Sequence, residues 1–314
     1  VDTYFLAQAY DISHRTLSGF GLKEVAVHFG LAAPERTYVE SAEIGAEFDR
    51  DPIRGEAYCR DDVIDTRDLS RLLSRSNYRQ TRMLPYAYQN VCVRGSATRI
   101  DALMIREYLR QGHSLPIPGK PRAFAGGYTD MFVEGVVENV HHCDVRSLYP
   151  SLMLNHRIAP ESDELGVFLQ LLARLKNVRF DAKQRMSAAT EPAERNGYDA
   201  LQSTFKILIN SFYGYLGFSR ARFGDFAAAE EVTRRGRDLL RFMIDWLRDR
   251  DAVPVEIDTD GIYFVPPADT HDDPETLARF REAFSAALPE GIDVEFDGTF
   301  RAMFSYKMKN YALL

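Results

Sequence analysis

Three aspartates lie in otherwise apolar stretches of this sequence. Asp144 falls inside GVVENVHHCDVRSLYPSLML, and Asp258 and Asp260 flank Thr259 in VEIDTDGIYFV. A carboxylate in an apolar stretch is costly unless a partner offsets its charge. Carboxylates that converge from neighbouring strands are stable when a divalent cation lies among them, and Mg²⁺ takes a few carboxylates together with phosphate oxygens. Two such ions can hold the attacking and leaving oxygens of a phosphoryl transfer. For DTDG alone, an Asx-type turn without a metal is the alternative.

A second polar group falls on two consecutive helical stretches. Its members are Lys176, Arg179 and Lys183 on the first, and Lys206, Asn210 and Tyr213 on the second. Spacings of three and four residues put each row on one helical face. If the two helices are antiparallel neighbours, the rows form a patch that suits a triphosphate. An ordinary solvated face is the alternative.

The elements that must position these residues follow from apolar spacing and turn residues. We expect a strand over 131–145, helices over 164–186 and 198–212 joined by a turn at 188–197, and a helix over 230–249. Hairpins with Asp-Gly turns are expected over 253–265 and 292–314. Residues 112–127, rich in Gly and Pro, read as a connector. Strands, helices and antiparallel hairpins together predict an α+β fold.

Residues 1–80 are predicted to be partly helical. Arg67, Arg71, Arg75 and Arg79 share one helical face. The favoured interpretation is a solvated face balanced by Asp65 and Asp68. A stripe that contacts phosphates is the alternative.

The composition is that of an ordinary globular protein, with 45% hydrophobic and 27% charged residues. No apolar stretch is long enough to predict a membrane span, and the N-terminal stretch has no basic leader. The net charge of −7 argues weakly against a nucleic-acid partner. The three cysteines are far apart and predict neither a disulfide frame nor a zinc site, and the His141-His142 pair has no partner at zinc-ligand spacing.

Several of these stretches together resemble family B DNA polymerases. DVRSLYPS (144–151), KILINSFYG (206–214) and IDTDGIYF (257–264) are similar to that family's motifs A, B and C, in the family's order. YCRDD (58–62) resembles the third exonuclease motif, FAGG (124–127) the linker motif between exonuclease and polymerase modules, and KNY (309–311) the Lys-x-Tyr motif.

The resemblance implies an antiparallel palm sheet with packed helices, a helical-hairpin fingers subdomain, and a partial ribonuclease H-like 3′–5′ exonuclease domain. The expected division is 1–80 for the exonuclease remnant, 81–160 for the linker and first part of the palm, 161–215 for the fingers, and 216–314 for the second part of the palm. The acidic residues of the first two exonuclease motifs and a thumb have no match here. We therefore expect an internal piece of a longer polymerase.

The resemblance also implies roles for individual residues. Asp144, Asp258 and Asp260 would be catalytic, with Asp144, Val145 and Asp260 as metal ligands. The incoming nucleotide would contact Leu148, Tyr149, Arg179, Lys183, Lys206, Asn210 and Tyr213. DNA would contact Gly126, Gly127, Gly214, Lys309 and Tyr311, and Tyr58 and Asp62 would remain from the exonuclease site. Tyr149 would act as a steric gate beneath the sugar, against a 2′-hydroxyl.

Four positions depart from the family pattern. Glu256 stands where motif C usually has tyrosine, and Gly261 where it usually has serine. Phe124 replaces the linker tyrosine, and Asn310 stands where a basic residue is common. Glu256 could add a carboxylate near the metals or could point into solvent.

The leading hypothesis is a DNA-directed DNA polymerase that uses two Mg²⁺ ions, with Mn²⁺ as a substitute, and takes primer-template DNA and dNTPs. A catalytically weak nucleic-acid-binding fragment is the alternative, and a 3′–5′ exonuclease that relies on Asp62 is the least favoured. No membrane partner is expected, and the sequence leaves a sliding clamp open. A prokaryotic source would place the protein in the cytoplasm, at the nucleoid.

Overall fold

The computed structural model describes residues 2–271 and 273–314, and within them the chain divides into two compact units. The first contains the residues up to His113 together with Arg174–Ile209. The second contains Ser114–Ala173 and Asn210–Leu314. The boundary between the units crosses two helices, which are described below.

The N-terminal part of the first unit is helical. Its helices are α1 (Thr3–His14), α2 (Leu22–His28), α3 (Ile44–Arg50), α4 (Pro52–Thr81), α5 (Tyr88–Val93) and α6 (Ser96–Arg110). The long helix α4 begins where the Asp51 carboxylate accepts a hydrogen bond from the Arg54 N–H and Pro52 takes the first helical position, a favoured start because proline has no N–H to leave unpaired. Helices α1, α2 and α4 share a core that includes Leu6, Val25 and Leu69.

The second unit is built on an antiparallel sheet. Its strands are β1 (Thr129–Met131), β2 (Gly135–Val145), β3 (Val253–Asp258), β4 (Gly261–Val265), β5 (Val294–Lys307) and β6 (Asn310–Leu313). They lie in the order β1-β3-β4-β2-β5-β6, and each neighbouring pair is antiparallel. Strand β2 is therefore central, with the β3–β4 hairpin on one side and the β5–β6 hairpin on the other.

Three helices pack on this sheet: α7 (Leu148–Asn155), α10 (Phe226–Arg248) and α11 (Pro274–Ala287). Their apolar faces share a core with the strands, in which Cys143, Leu240, Trp246, Phe264 and Phe284 are buried. A second buried cluster includes Val140, Val255, Tyr263 and Met303. Apolar residues of β2 thus contribute to both clusters, which explains the nearly continuous apolar sequence around Asp144.

The predicted pair of long helices is present as α8 (Val167–Ala188) and α9 (Pro192–Leu216). These are the helices that cross the unit boundary. Phe168 near the start of α8 contacts Phe212 and Tyr215 near the end of α9, with ring centroids 5.0 and 6.1 Å apart. The two helices therefore run antiparallel, as expected. The connecting turn is shorter than predicted, because Pro192 begins α9 instead of interrupting it.

The two Asp-Gly turns are not where the sequence places them. In the β3–β4 hairpin, Thr259 and Asp260 form the turn, Thr259 has a φ of 67°, and Gly261 is already the first residue of β4. Asp297-Gly298 is no turn at all, since β5 runs through it and Gly298 pairs with His142. The reversal between β5 and β6 comes ten residues later, around Lys309, whose φ is 61°.

Two expectations from composition agree with the structure. Cys59, Cys92 and Cys143 are free thiols. Within the described ranges, no helix is both long and apolar enough to cross a membrane.

Candidate active site

Asp144 and Asp260 are brought together by the pairing of β2 with β4. Asp144 pairs with Gly261 across the two strands. The next residue, Val145, donates its backbone N–H to the Asp260 carbonyl at 2.9 Å. Residues more than a hundred positions apart in sequence thus lie side by side at one end of the sheet.

Asp258 ends β3 in the same hairpin, but its carboxylate has a different partner. The Lys309 ammonium lies 2.8 Å from Asp258 Oδ1 and donates to Thr259 Oγ1 at 3.1 Å. In the part of the chain that the structure describes, no three Asp, Glu, His or Cys residues are grouped closely enough to form a metal cluster. Asp144 and Asp260 are thus neighbours through the pairing of β2 with the start of β4, whereas the Asp258 carboxylate is paired with the Lys309 ammonium.

The turn after Asp144 leads directly into a helix. Ser147 adopts a left-handed conformation with φ 50°, and α7 begins at Leu148. The backbone N–H groups of Leu148 and Tyr149 are therefore in the first turn of a helix, where they have no partner within the helix, and Pro150 contributes none. Such an N-terminus favours an anion through its N–H groups and dipole.

The Tyr149 ring is confined on three sides. It packs against Tyr213, with ring centroids 4.4 Å apart and the ring planes tilted by 37°. A Cβ at Gly236 would lie 3.2 Å from its Cε1, and a Cβ at Gly127 would lie 2.7 Å from its hydroxyl. Burial, reinforced by the nearby Tyr213 and Asp260, raises the pKa of Tyr149 to about 12. The ring of Tyr149, the second residue of α7, is thus uncharged and closely packed.

The segment that contains FAGG is tied to one face of α10. Arg122 forms an ion pair with Glu230 at 2.6 Å, and Thr233 Oγ1 donates to the Ala125 carbonyl at 2.8 Å. Arg237 donates to the carbonyls of Ala125 and Gly126 at 3.2 and 2.6 Å. Sequence reasoning missed these anchors. Their signal was the spacing of Glu230, Thr233 and Arg237, which puts three polar groups on one face of an amphipathic helix.

The Lys-x-Tyr residues belong to the β5–β6 hairpin. Tyr311 pairs with Ser305 across the hairpin, and its hydroxyl lies 3.1 Å from that of Tyr263 on β4. Lys309 lies in the turn and reaches Asp258, as described above. The turn of this hairpin and the β3–β4 turn are therefore in contact through Lys309.

These features match a known protein family. The sequence model described as DNA polymerase family B matches residues 156–314, half of the chain. The chain belongs to DNA polymerase family B. The DNA polymerase of Pyrococcus glycovorans is 32% identical over 215 residues, which are 61% of this chain and 28% of that protein. The DNA polymerase of Thermococcus gorgonarius is 26% identical over 310 residues, 89% of this chain and 40% of that protein.

A solved structure shows the same fold. The family B DNA polymerase of Pyrobaculum calidifontis has a TM-score of 0.62 and 21% identity, over 94% of this chain and 42% of that chain. The chain thus spans less than half the length of these relatives. The sequence-based assignment to the family is confirmed, as is a mixed fold with an antiparallel sheet.

Glu256, which departs from the family pattern, is not exposed. Its side chain is fully buried in β3. The carboxylate accepts the Ser305 hydroxyl at 2.8 Å and the Lys309 backbone N–H at 2.6 Å. The alternative that Glu256 points into solvent is wrong, because its partners lie about fifty residues further along the chain, on β5 and in the following turn. The alternative that it adds a carboxylate near the metals stays a prediction.

Gly261, the other departure in motif C, faces a histidine. A Cβ at this position would lie 3.0 Å from His142 Cε1 and nearer still to Nε2. The His142 ring has little freedom to move, since its Nδ1 lies 2.6 Å from Asp297 Oδ1 and the ring packs against Tyr263, with centroids 4.3 Å apart. Glycine at 261 is therefore required by the side chain opposite it.

The remaining nucleotide-binding candidates are divided between the two units. Arg179, Lys183 and Lys206 lie in the first unit, and Asn210 and Tyr213 lie on α9 within the second. Gly214, a predicted DNA contact, follows them on α9. Lys183, Lys206 and Asn210 are exposed. Their roles toward a triphosphate stay predictions.

The exonuclease candidates take part in the packing of the first unit. Arg36 is buried and binds Asp62 as well as Asp65, the latter at 2.7 Å. Tyr58 is buried beneath the Lys23 ammonium, 4.5 Å from its ring centroid. The expectation that Asp65 balances the arginine row is wrong, because Asp65 pairs with Arg36 on another segment.

Two arginines of that row agree with the solvated interpretation. Arg67 and Arg71 are exposed and pair with Asp68 at 2.8 and 3.6 Å.

Proposed function

We propose that this chain carries the nucleotidyl-transfer site of a DNA-directed DNA polymerase. The observation that carries the proposal is the end of the sheet where β2 meets β4, with the Val145 N–H bonded to the Asp260 carbonyl at 2.9 Å. This pairing places Asp144 and Asp260 beside the N-terminus of α7. Membership of family B supports the same activity.

The donor set at this end of the sheet fits Mg²⁺. Asp144 and Asp260 supply carboxylate oxygens, and the Val145 carbonyl is a further oxygen ligand in this proposal. Mg²⁺ accepts one or two carboxylates and leaves its other positions to water and phosphate oxygens. Bound there, it would supply charge neutralisation at the reacting phosphate.

The chain's own residues would position the substrates. The first N–H groups of α7 would hold the triphosphate, since an anion is favoured at a helix N-terminus. Asn210, which is exposed on α9 within the second unit, would donate a hydrogen bond to the same phosphates. Tyr149 would lie beneath the sugar, where its confined ring leaves no room for a 2′-hydroxyl. Most of the rate enhancement in phosphoryl transfer comes from such positioning and electrostatic stabilisation.

DNA would be held by two segments of the second unit. Gly126 and Gly127 lie in the segment fixed by α10, and they would meet the template backbone. Lys309 and Tyr311 in the β5–β6 hairpin would meet the primer strand. Base pairing reads the sequence, so backbone contacts suffice.

We also assign the parts of the fold by analogy to the family. The sheet with α7, α10 and α11 would be the palm, and α8 with α9 the fingers. The helices of residues 1–80 would belong to an exonuclease domain, and in that assignment Tyr58 and Asp62 serve packing.

Primer extension tests the proposal. The chain is incubated with a 5′-labelled primer-template, dNTPs and Mg²⁺, and extension is followed on a gel. We expect extension by the wild type and a loss of at least about a thousandfold in Asp144→Ala and in Asp260→Ala, because each removes a metal ligand. Glu138→Ala is the matched control, since it removes an exposed carboxylate from the same strand as Asp144.

Extension that persists in both aspartate variants would contradict the metal assignment. Primer-template binding without any extension by the wild type would instead support the alternative of a weakly catalytic nucleic-acid-binding fragment.

A further inference from the structure

Glu256 is a buried carboxylate whose hydrogen-bond partners, among the residues that the structure describes, include no lysine or arginine side chain. Its side chain is fully buried on β3, and its two oxygens bind separate groups of the β5–β6 hairpin. Burying a carboxylate is costly unless its hydrogen bonds compensate. An apolar residue at this strand position would avoid the desolvation free energy of a buried carboxylate, so the presence of Glu256 needs a specific explanation.

Both oxygens of Glu256 hold the end of the β5–β6 hairpin. Oε2 accepts the buried Ser305 hydroxyl at 2.8 Å, and Oε1 accepts the backbone N–H of Lys309 at 2.6 Å. Lys309 has a φ of 61°, a left-handed conformation that is uncommon for a lysine. Such a conformation persists where surrounding contacts enforce it, and the bond to Glu256 is one such contact.

The side chain of Lys309 ends on the same hairpin that holds its backbone. Its ammonium lies 2.8 Å from Asp258 Oδ1 and 3.1 Å from Thr259 Oγ1. Glu256 and Asp258 are two residues apart on β3. A single strand thus fixes the lysine at its backbone and at its charged end, and the backbone anchor does not depend on what the ammonium binds.

We propose that Glu256 is a positioning residue for primer binding, which fixes the β5–β6 turn so that the Lys309 ammonium is presented to a primer phosphate beside the aspartates. This inference rests on the proposed function, because it assigns Lys309 to the primer strand. When DNA binds, Lys309 exchanges Asp258 for a phosphate while its backbone stays bonded to Glu256. Glu256 itself contacts no substrate.

The salt dependence of DNA binding tests this role. Each lysine–phosphate contact adds about 0.9 to the slope of log K against log salt concentration. We expect Lys309→Ala to reduce the slope by about that amount, and Glu256→Ala to reduce it equally. Between 50 and 200 mM salt, the affinity advantage of the wild type over either variant should then shrink ~3.5-fold. The double variant should show no further reduction.

Two further variants separate positioning from a general loss of stability. Glu256→Gln keeps an oxygen acceptor for the Lys309 N–H and should retain the wild-type slope. Glu47→Ala removes another buried carboxylate, which is 3% exposed and binds Arg54 at 2.9 Å. It should lower the melting temperature and leave the slope unchanged. A wild-type slope in Glu256→Ala, together with a reduced slope in Lys309→Ala, would overturn the inference.

Limited proteolysis tests, without DNA, whether Glu256 holds the β5–β6 turn in place. Trypsin cleaves after lysine, and Lys307 ends β5 while Lys309 lies in the turn. We expect cleavage there to be at least about fivefold faster in Glu256→Ala than in the wild type or in Glu256→Gln, because the freed turn opens more often. Equal cleavage rates in Glu256→Ala and the wild type would overturn the claim that Glu256 fixes the turn. A wild type that does not bind primer-template would overturn the proposed function instead, and the proteolysis result would still stand.

Discussion

Removal of the Tyr149 ring should open the nucleotide site to ribonucleotides. The ring cannot move away, because the Tyr213 ring packs against it at 4.4 Å and the backbones of Gly127 and Gly236 lie against it. Forcing an extra group into a packed site costs about 1–3 kcal/mol, which corresponds to roughly 5- to 150-fold in rate. We therefore expect Tyr149→Ala to lower the preference for dNTP over rNTP by about 10- to 100-fold.

The same substitution has a predictable effect on stability. A fully buried aromatic ring contributes about 3–5 kcal/mol relative to alanine. Tyr149 is partly exposed, so Tyr149→Ala should lower the free energy of unfolding by about 2 kcal/mol. Thermal melting would show that the variant remains folded during the activity measurement.

Single-nucleotide incorporation gives the required ratio. The kcat/KM of a dNTP is divided by that of the matching rNTP, for the wild type, Tyr149→Ala and Tyr149→Phe. The phenylalanine variant keeps the ring and should stay within about threefold of the wild type. An unchanged ratio in a folded Tyr149→Ala variant would refute the assignment of the ring as a gate.

The pH dependence follows from the raised pKa. Because burial raises the pKa of Tyr149 to about 12, the hydroxyl stays neutral up to about pH 10. The dNTP preference should therefore be constant between pH 7 and 10. If the dNTP preference fell with a midpoint between pH 7 and 10, a purely steric role for the Tyr149 ring would be contradicted.

Three further predictions concern other parts of the molecule. Arg237→Ala should weaken primer-template binding about fivefold in fluorescence anisotropy, since it removes about 1 kcal/mol of partly exposed hydrogen bonding to the FAGG segment; Arg234→Ala on the same helix is the control. Burial lowers the pKa of His141 to about 4. The unfolded chain therefore binds a proton at His141 near pH 6.5, whereas the folded state does not. The free energy of unfolding should keep its full value above pH 6.5 and decrease by up to about 3 kcal/mol as the pH drops to 4. His141→Gln should remove this decrease in the free energy of unfolding between pH 6.5 and pH 4, measured by denaturant titration at each pH. Asp62→Ala should lower the free energy of unfolding by about 2 kcal/mol, because the buried Arg36 loses a partner, and should leave primer extension intact; a nuclease activity that it abolished would revive the exonuclease hypothesis.

The helices of the second unit could be predicted from the sequence because their signal is local. The apolar residues of α10 recur every three or four positions, and the observed helix, Phe226–Arg248, lies close to the predicted 230–249. The order of the stretches that are similar to motifs A, B and C predicts Asp144 and Asp260 as site residues from the sequence alone. Their grouping could not be derived from spacing alone, since it depends on the pairing of β2 with β4.

The errors arose where a residue's environment comes from distant strands. Asp297-Gly298 has the sequence of a turn, but it lies in β5, where Asp297 binds His142 and a Cβ at Gly298 would lie 3.2 Å from that histidine's Cβ. Glu256 likewise has partners on β5 and in the following turn. No local pattern encodes such contacts, because strand register decides them.

The contact between Gly261 and His142 constrains the order in which these two positions can change. In a protein with serine at 261, replacement by glycine removes a side chain and creates no overlap. A histidine introduced opposite the serine, by contrast, would meet its Cβ, with Nε2 and Cε1 both within 3.0 Å. From a sequence with serine at 261 and a smaller residue at 142, the viable order is therefore Gly261 first and His142 second. For the same reason, restoring serine to motif C requires a smaller residue at 142 in the same step.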